Sequence, residues 1–396
     1  MKIESYKQMG GIHPETATIT NVLASQGMVA PHTKRPFTEA MIFGIAGGLG
    51  CGYILWEFKK YNAAILVMGF QNKWNYTAEF MQNLCERLDI STDFAETGGK
   101  KRAATDLDNA LQAGQPAIAW VCQQSLPHYF MRPMYNGCFG HFVTAFGVEN
   151  EHVWIDDRAK RPFQVKTAIF NQSRARIGSF KNRLLLLDAS RAEFDLETAV
   201  RAGIADCVDY MGRSSQTFAI PVFKKWARLM TDTRNKKGWP VVFTKQAGLY
   251  STLSSLHEGI KHFGTAGGGL RYFYADFLNE AATVLNNSQL KEAAEQYHAL
   301  GDRWAAFADA VLPDHIAPLA ETKRLLADKH AIFNEKGGTG LAKLENVCQS
   351  LNDIEKELNS QMPMSAAEMD ALFHMMQDHL TAIYNAENEA LASLTI

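Results

Sequence analysis

The chain has 396 residues, enough for two ordinary domains or one large one with a well-buried core. Its 40 basic residues stand against 42 acidic ones with a sequence pI near 6.6, so it has no basic field of the kind a nucleic-acid binder relies on. No apolar run approaches the ~18–20 residues of a transmembrane helix, and the opening MKIESYKQMGG lacks the apolar core of a secretory signal, so the expectation is a cytoplasmic protein without nucleic-acid or membrane partners. Cysteines 51, 85, 122, 138, 207 and 348 show no CxxC spacing, which indicates neither a zinc site nor a disulfide framework; no metal or other cofactor is expected.

In chain order, Thr16 to Ser25 carries Ile19, Val22 and Leu23 at helical spacing, and Pro14 is well placed in a first helical turn because its missing N–H would have no intrahelical acceptor. Thr38-Glu39 opens a second helix, EAMIFGI, which runs into the glycine-rich stretch 44–53. That stretch follows a helix and lacks a GKS or GKT ending, so it reads as a tight exposed turn that brings backbone close to a substrate or another segment, and not as a phosphate loop. Tyr53 to Phe58 and Ala63 to Phe70 read as strands, the second central because it is apolar on both faces. Helices are expected over 76–88 and 102–113, a buried strand over 115–122, a helix over 166–174 and a strand over 183–187.

Between them, Phe142 to Val148 and His152 to Ile155 read as a hairpin around Glu149-Asn150-Glu151. With a turn at 149–151, position 143 faces 157, so His141 and Asp157 share one face as diagonal neighbours. A slip of one residue substitutes Asp156. Either pairing sets an imidazole beside a carboxylate, the arrangement of a general base and its orienter; a surface hairpin with ordinary polar residues is the plainer alternative.

Beyond about Asp195 strand signals nearly vanish. Helical periodicity runs through 196–210, 221–230, 274–285, 288–311 and two long C-terminal stretches, the last opened by the capping-box pattern Ser365 to Glu368. Breaks fall at 235–240 and at the glycine run 264–269. The expectation is an α+β domain over residues 1–190 and an all-α domain over 191–396. The helical stretches carry more apolar stripe than such a layer buries alone, so they are expected to cover the mouth of a site and to offer a homodimer contact.

GGIHPETATITNVLASQG, TEAMIFGIAGGLGCGY and GHFVTAFGVENEHVWIDDR together resemble the N-terminal domain of the butirosin biosynthesis protein H family. The second half, with GTAGGGLRYFYADFLNEAA, resembles the helical domain of unestablished function that usually follows it. The resemblance implies a fold similar to papain-like cysteine peptidases, used for acyl transfer; in the family's prototype an aminoacyl group passes from a carrier-protein thioester to an aminoglycoside amine. It also implies a nucleophilic cysteine directly after the histidine that opens helix one, with the catalytic His and Asp on the later hairpin. His13, His141 and Asp157 fit that pattern. The cysteine position is Pro14, which cannot be a nucleophile.

The candidate catalytic residues are therefore His141, Asp157 and Glu15. A carboxylate at a helix start is favoured in its charged form, and Glu15 reads equally as a helix cap or as an acid or base. The candidate substrate-binding residues are His13, Gly48, Cys51, Tyr53 and Asp156. Cys51 is either a relocated nucleophile or, more commonly for a lone cysteine, a small buried thiol; Tyr53 is either a substrate contact or a core tyrosine. The expected function is acyl transfer, condensation or cyclisation on a small-molecule or acyl-carrier-protein thioester in specialised-metabolite biosynthesis. The alternative is a non-catalytic module, derived from such an enzyme, that binds a carrier protein or metabolite.

Overall fold

The structure is a computed structural model that describes residues 1–245 and 247–394. The chain forms two compact units, each assembled from separated stretches. The first comprises Met1–Ile42, Cys85–Asp195 and Lys329–Cys348; the second comprises Phe43–Leu84, Leu196–Asp328 and Gln349–Ile396. Where the sequence reading set one crossing at 190, the chain crosses five times, once at Asp195/Leu196. The last two residues of the expected helical domain, 395–396, lie outside the described residues. Among the described residues no helix is long and apolar enough to cross a membrane.

Eight strands occur in the described chain: β1 Leu49–Phe58, β2 Ala63–Gln71, β3 Ser91–Ala95, β4 Ala117–Cys122, β5 Gly140–Glu149, β6 His152–Asp156, β7 Phe163–Lys166 and β8 Leu184–Asp188. The last six form the sheet of the first unit in the order β3-β8-β4-β5-β6-β7, with every neighbouring pair antiparallel. β4, AIAWVC, is buried at every position, as its unbroken apolar run requires of a central strand. The two edges, β3 and β7, are only five and four residues long, too short for a pattern that stands out in the sequence. Helix α1, Pro14–Ser25, packs against β5 and is buried from Pro14 through Ala24.

The β5–β6 hairpin departs from the expected turn and still arrives at the expected register. Its loop is two residues, Asn150 and Glu151, both at positive φ (+49° and +62°), the conformation a type I′ turn demands. Glu149 therefore pairs with His152, one step away from the expected alignment. An extra residue in β5 between Ala145 and Gly147 then shifts the ladder back, so that Thr144 faces Asp156 and the next inward step brings Asp157 toward the His141 face.

In the second unit β1 and β2 form a separate two-stranded hairpin. Helices Leu196–Gly212 and Pro221–Thr231 pack on β1 and Leu249–Lys261 packs on β2. These helices explain why β2 is apolar on both faces without being central to a larger sheet, the position the sequence suggested. The glycine stretch before β1 is buried, not exposed: Gly48 turns at φ +62°, and a Cβ there would lie 2.5 Å from the Tyr274 ring. The expected helices at 196, 221, 274 and 288 appear, joined by Trp239–Lys245 and Leu249–Lys261, which the sequence reading passed over. Ser365 and Glu368 form a complete capping box on the last helix.

Candidate active site

The first unit gathers a polar centre at two places, the start of α1 and the end of β6. At α1, His13 is the N-cap and Pro14 the first helical residue. The first intrahelical bond runs from the Ala17 N–H to the His13 carbonyl. Glu39, brought in from the next helix, accepts the N–H of Ile12 and of His13 and the hydroxyl of Thr16, each at 2.8 Å. Burial raises its pKa, against the opposing effect of those two backbone donors. Glu15 is buried, with its carboxylate 3.4 Å from Nε2 of His13.

At the end of β6, Asp157 is fully buried and receives donors on both oxygens. Nε2 of His141 donates to Oδ1 at 2.8 Å; Nε2 of His128, at 2.8 Å, and the hydroxyl of Tyr129, at 2.9 Å, donate to Oδ2. The Arg158 guanidinium lies 3.4 Å from Oδ1 and also donates to the Tyr129 hydroxyl. Burial on its own would raise this carboxyl's pKa, but the charge of His141, the bonds from His128 and His141 and the charge of Arg158 outweigh it and hold the group well below the usual carboxylate range. Tyr129 is pushed the other way by burial and by the Asp157 charge, so it stays protonated and serves as a donor. Its oxygen is also 2.9 Å from Nε2 of His141.

Arg158 adopts φ +62°, an uncommon conformation for a side-chain-bearing residue, and turns the chain away after β6 so that its guanidinium folds back beside Asp157 and reaches the Ile12 carbonyl at 3.2 Å. His128 stacks on Phe163 with ring centroids 4.0 Å apart. Among the described residues, no group of three or more His, Cys, Asp or Glu side chains is set to hold a metal.

Asp156, one residue earlier, points into a different setting. Its Oδ2 accepts the Tyr6 hydroxyl at 2.7 Å and the Asn21 amide of α1 at 2.8 Å. Burial pushes its pKa up to about 7.

The structure thus brings His141 to Asp157 and His13 to Glu15, and it uses Asp156 to tie α1 to the N-terminal segment. Gly48, Cys51 and Tyr53 lie instead in the core of the second unit. The Cys51 thiol is fully buried beside Sδ of Met211 at 3.3 Å, and burial followed by the Glu387 charge raises its pKa well above the ordinary thiol value. The Tyr53 hydroxyl accepts the Trp239 indole N–H at 2.9 Å. Their packing among that unit's helices is reason enough for their residue types. His128, Tyr129, Arg158 and Glu39 escaped the sequence reading. The one available signal was the dipeptide His128-Tyr129 between Pro127 and Pro133, two polar aromatics in a loop held stiff by proline.

Compared with known families, residues 13–158 match the model for butirosin biosynthesis protein H, N-terminal, and residues 170–362 match a domain of unknown function (DUF4872). A solved structure described as a C39-like peptidase from Bacillus anthracis is 12% identical, covering 48% of this chain and 98% of that one with a TM-score of 0.30. No curated protein matches.

Proposed function

Residues 13–158 of the chain belong to the butirosin biosynthesis protein H N-terminal family, and from that membership we propose that the protein performs acyl transfer, condensation or cyclisation on a carrier-bound thioester in specialised-metabolite biosynthesis. The observation that carries this reading is the buried 2.8 Å contact between Nε2 of His141 and Asp157, in a chain whose α1 opens with proline. An ionised carboxylate only accepts, so Nε2 carries the proton and the lone pair of the neutral ring sits on Nδ1. Nδ1 is the base.

A thioester is already activated, so an amine or carbanion attacks its carbonyl carbon directly. The attacking atom's proton passes to Nδ1, the new N–C or C–C bond forms, the C–S bond breaks, and Nδ1 returns the proton to the departing thiolate. No acyl-enzyme forms on the protein. Amide N–H groups at the start of α1 stabilise the oxyanion; Pro14 has none, which leaves those of Glu15 and Thr16 in the first turn. Glu15, beside His13, is the second acid or base of this scheme. The test is turnover of a carrier-bound acyl thioester by the full chain. Loss of about a hundredfold or more in His141→Ala supports the base role, and unchanged turnover removes it.

A binding module without turnover is the second reading. It is favoured by the same carboxylate, since Asp157 is held by three hydrogen-bond donors and the charge of Arg158 in the manner of a structural centre.

A further inference from the structure

We infer that the stretch 329–348, which lies within the matched domain of unknown function, completes the Asp157 centre of the first unit, and that Phe333 is the residue that seals it. Phe333 is only 4% exposed. Its ring centroid lies 5.1 Å from Phe163, 5.6 Å from Tyr129 and 6.0 Å from His128, and the Arg158 guanidinium sits 5.4 Å from it. Two of these four groups, His128 and Tyr129, hydrogen-bond to Asp157 and a third, Arg158, forms an ion pair with it, so one ring covers His128, Tyr129 and Arg158 together.

The backbone around Phe333 is built to reach this place. The Lys160 N–H donates to the Asn334 carbonyl at 2.8 Å, and the Gly338 N–H to the Pro162 carbonyl at 3.1 Å, clamping the stretch on both sides of the connection between β6 and β7. Gly337 sits at φ +47°, and a Cβ there would lie 2.1 Å from the Arg161 carbonyl oxygen, so no other residue permits this approach. Lys160 and Glu335 add an exposed ion pair. The chemical consequence is exclusion of water from a carboxylate whose bonds to two imidazoles strengthen as the surroundings become less polar. Phe333 is therefore a positioning residue: it touches the groups that hold Asp157 and acts on His141 through them.

The inference depends on the proposed function only for its meaning. Its test uses no substrate, so failure of either leaves the other standing. In low-field proton NMR of the full chain, the imidazole N–H protons that His128 and His141 donate to Asp157, assigned with His128→Gln and His141→Gln, should exchange slowly with water. Phe333→Ala should speed their exchange about tenfold or more, Gly337→Ala should do the same with Phe333 intact, and Phe333→Leu should restore the slow rate. Glu335→Ala, which removes only the exposed ion pair, should leave it unchanged. Equal exchange in the wild type and in Phe333→Ala overturns the inference. Should the variants fail to fold, hydrogen exchange of the unaltered chain decides: the Lys160 and Gly338 amides must be protected together with β5 and β6, and rapid exchange at both of them overturns the inference equally.

Discussion

Asp156 and Asp157 are consecutive in the chain and hold their carboxyls in opposite electrostatic settings: burial pushes Asp156 up to about 7, while imidazole and guanidinium partners hold Asp157 well below the ordinary range. A strand end makes this possible, because successive side chains leave on opposite sides. One side chain enters the α1 face and finds a phenol and an amide; the other enters the His141 face and finds two imidazoles, a phenol and a guanidinium.

The pair predicts pH dependences of opposite sign. Asp156 binds its proton more tightly folded than unfolded, so its contribution to stability is fully present below the unfolded value near 4 and is lost as the pH rises toward 7. Asp157 binds its proton less tightly folded, so its contribution is present above about 4 and is lost on acidification. Asp156→Asn keeps an acceptor for Tyr6 and Asn21, and it should flatten the decline of stability between about pH 4 and 7, on the order of 1–4 kcal/mol. Denaturant titrations at several pH values measure it; an unchanged slope would mean that Asp156 does not titrate there.

Removing the Asp157 carboxylate leaves two buried imidazoles, a tyrosine and a guanidinium without their common acceptor. Asp157→Ala should cost about 3–5 kcal/mol in equilibrium unfolding, more than a solvent-exposed carboxylate would. A loss below about 1 kcal/mol would show that the centre relaxes and is not a packed hub.

In the second unit, Arg271 and Glu387 form a fully buried pair, with the Trp304 indole donating to the same carboxylate oxygen at 3.0 Å. Glu387→Ala should destabilise by about 3–5 kcal/mol because it strands a buried guanidinium, whereas Arg271→Met with Glu387→Leu should recover much of the loss. Equal destabilisation by the single and the double variant would contradict this account.

The thiols should separate by access. Cys51, Cys85, Cys122, Cys207 and Cys348 are buried and Cys138 is partly exposed, so a thiol reagent on the native protein should modify Cys138 first and Cys51 only on unfolding. Rapid modification of Cys51 would reopen its role as a nucleophile.

The α+β character of the first part, the helical character of the second and the contact between His141 and Asp157 were legible because each follows from local periodicity. The hairpin was legible in outcome more than in detail, since the shorter turn and the bulge are two single-residue departures that cancel at Asp157. What could not be read is set by topology. Glu39 and His128-Tyr129 meet the site across loops whose paths no period specifies, and Phe333 arrives from a stretch that is helical in pattern but folds with the sheet unit. Cys51 and Tyr53 were drawn toward the site by the resemblance, whereas their apolar neighbours already matched a core.

On the proposed function, His141 acts as a base in a chain that forms no acyl-enzyme. Intact-protein mass spectrometry during turnover of a carrier-bound acyl thioester tests it most directly, on the native chain and on His141→Ala, Glu15→Gln and Cys51→Ala. Product should form without any acyl adduct on the protein, and its formation should be abolished by His141→Ala, slowed by Glu15→Gln and unaffected by Cys51→Ala. An adduct that disappears in Cys51→Ala, or full turnover by His141→Ala, would contradict it.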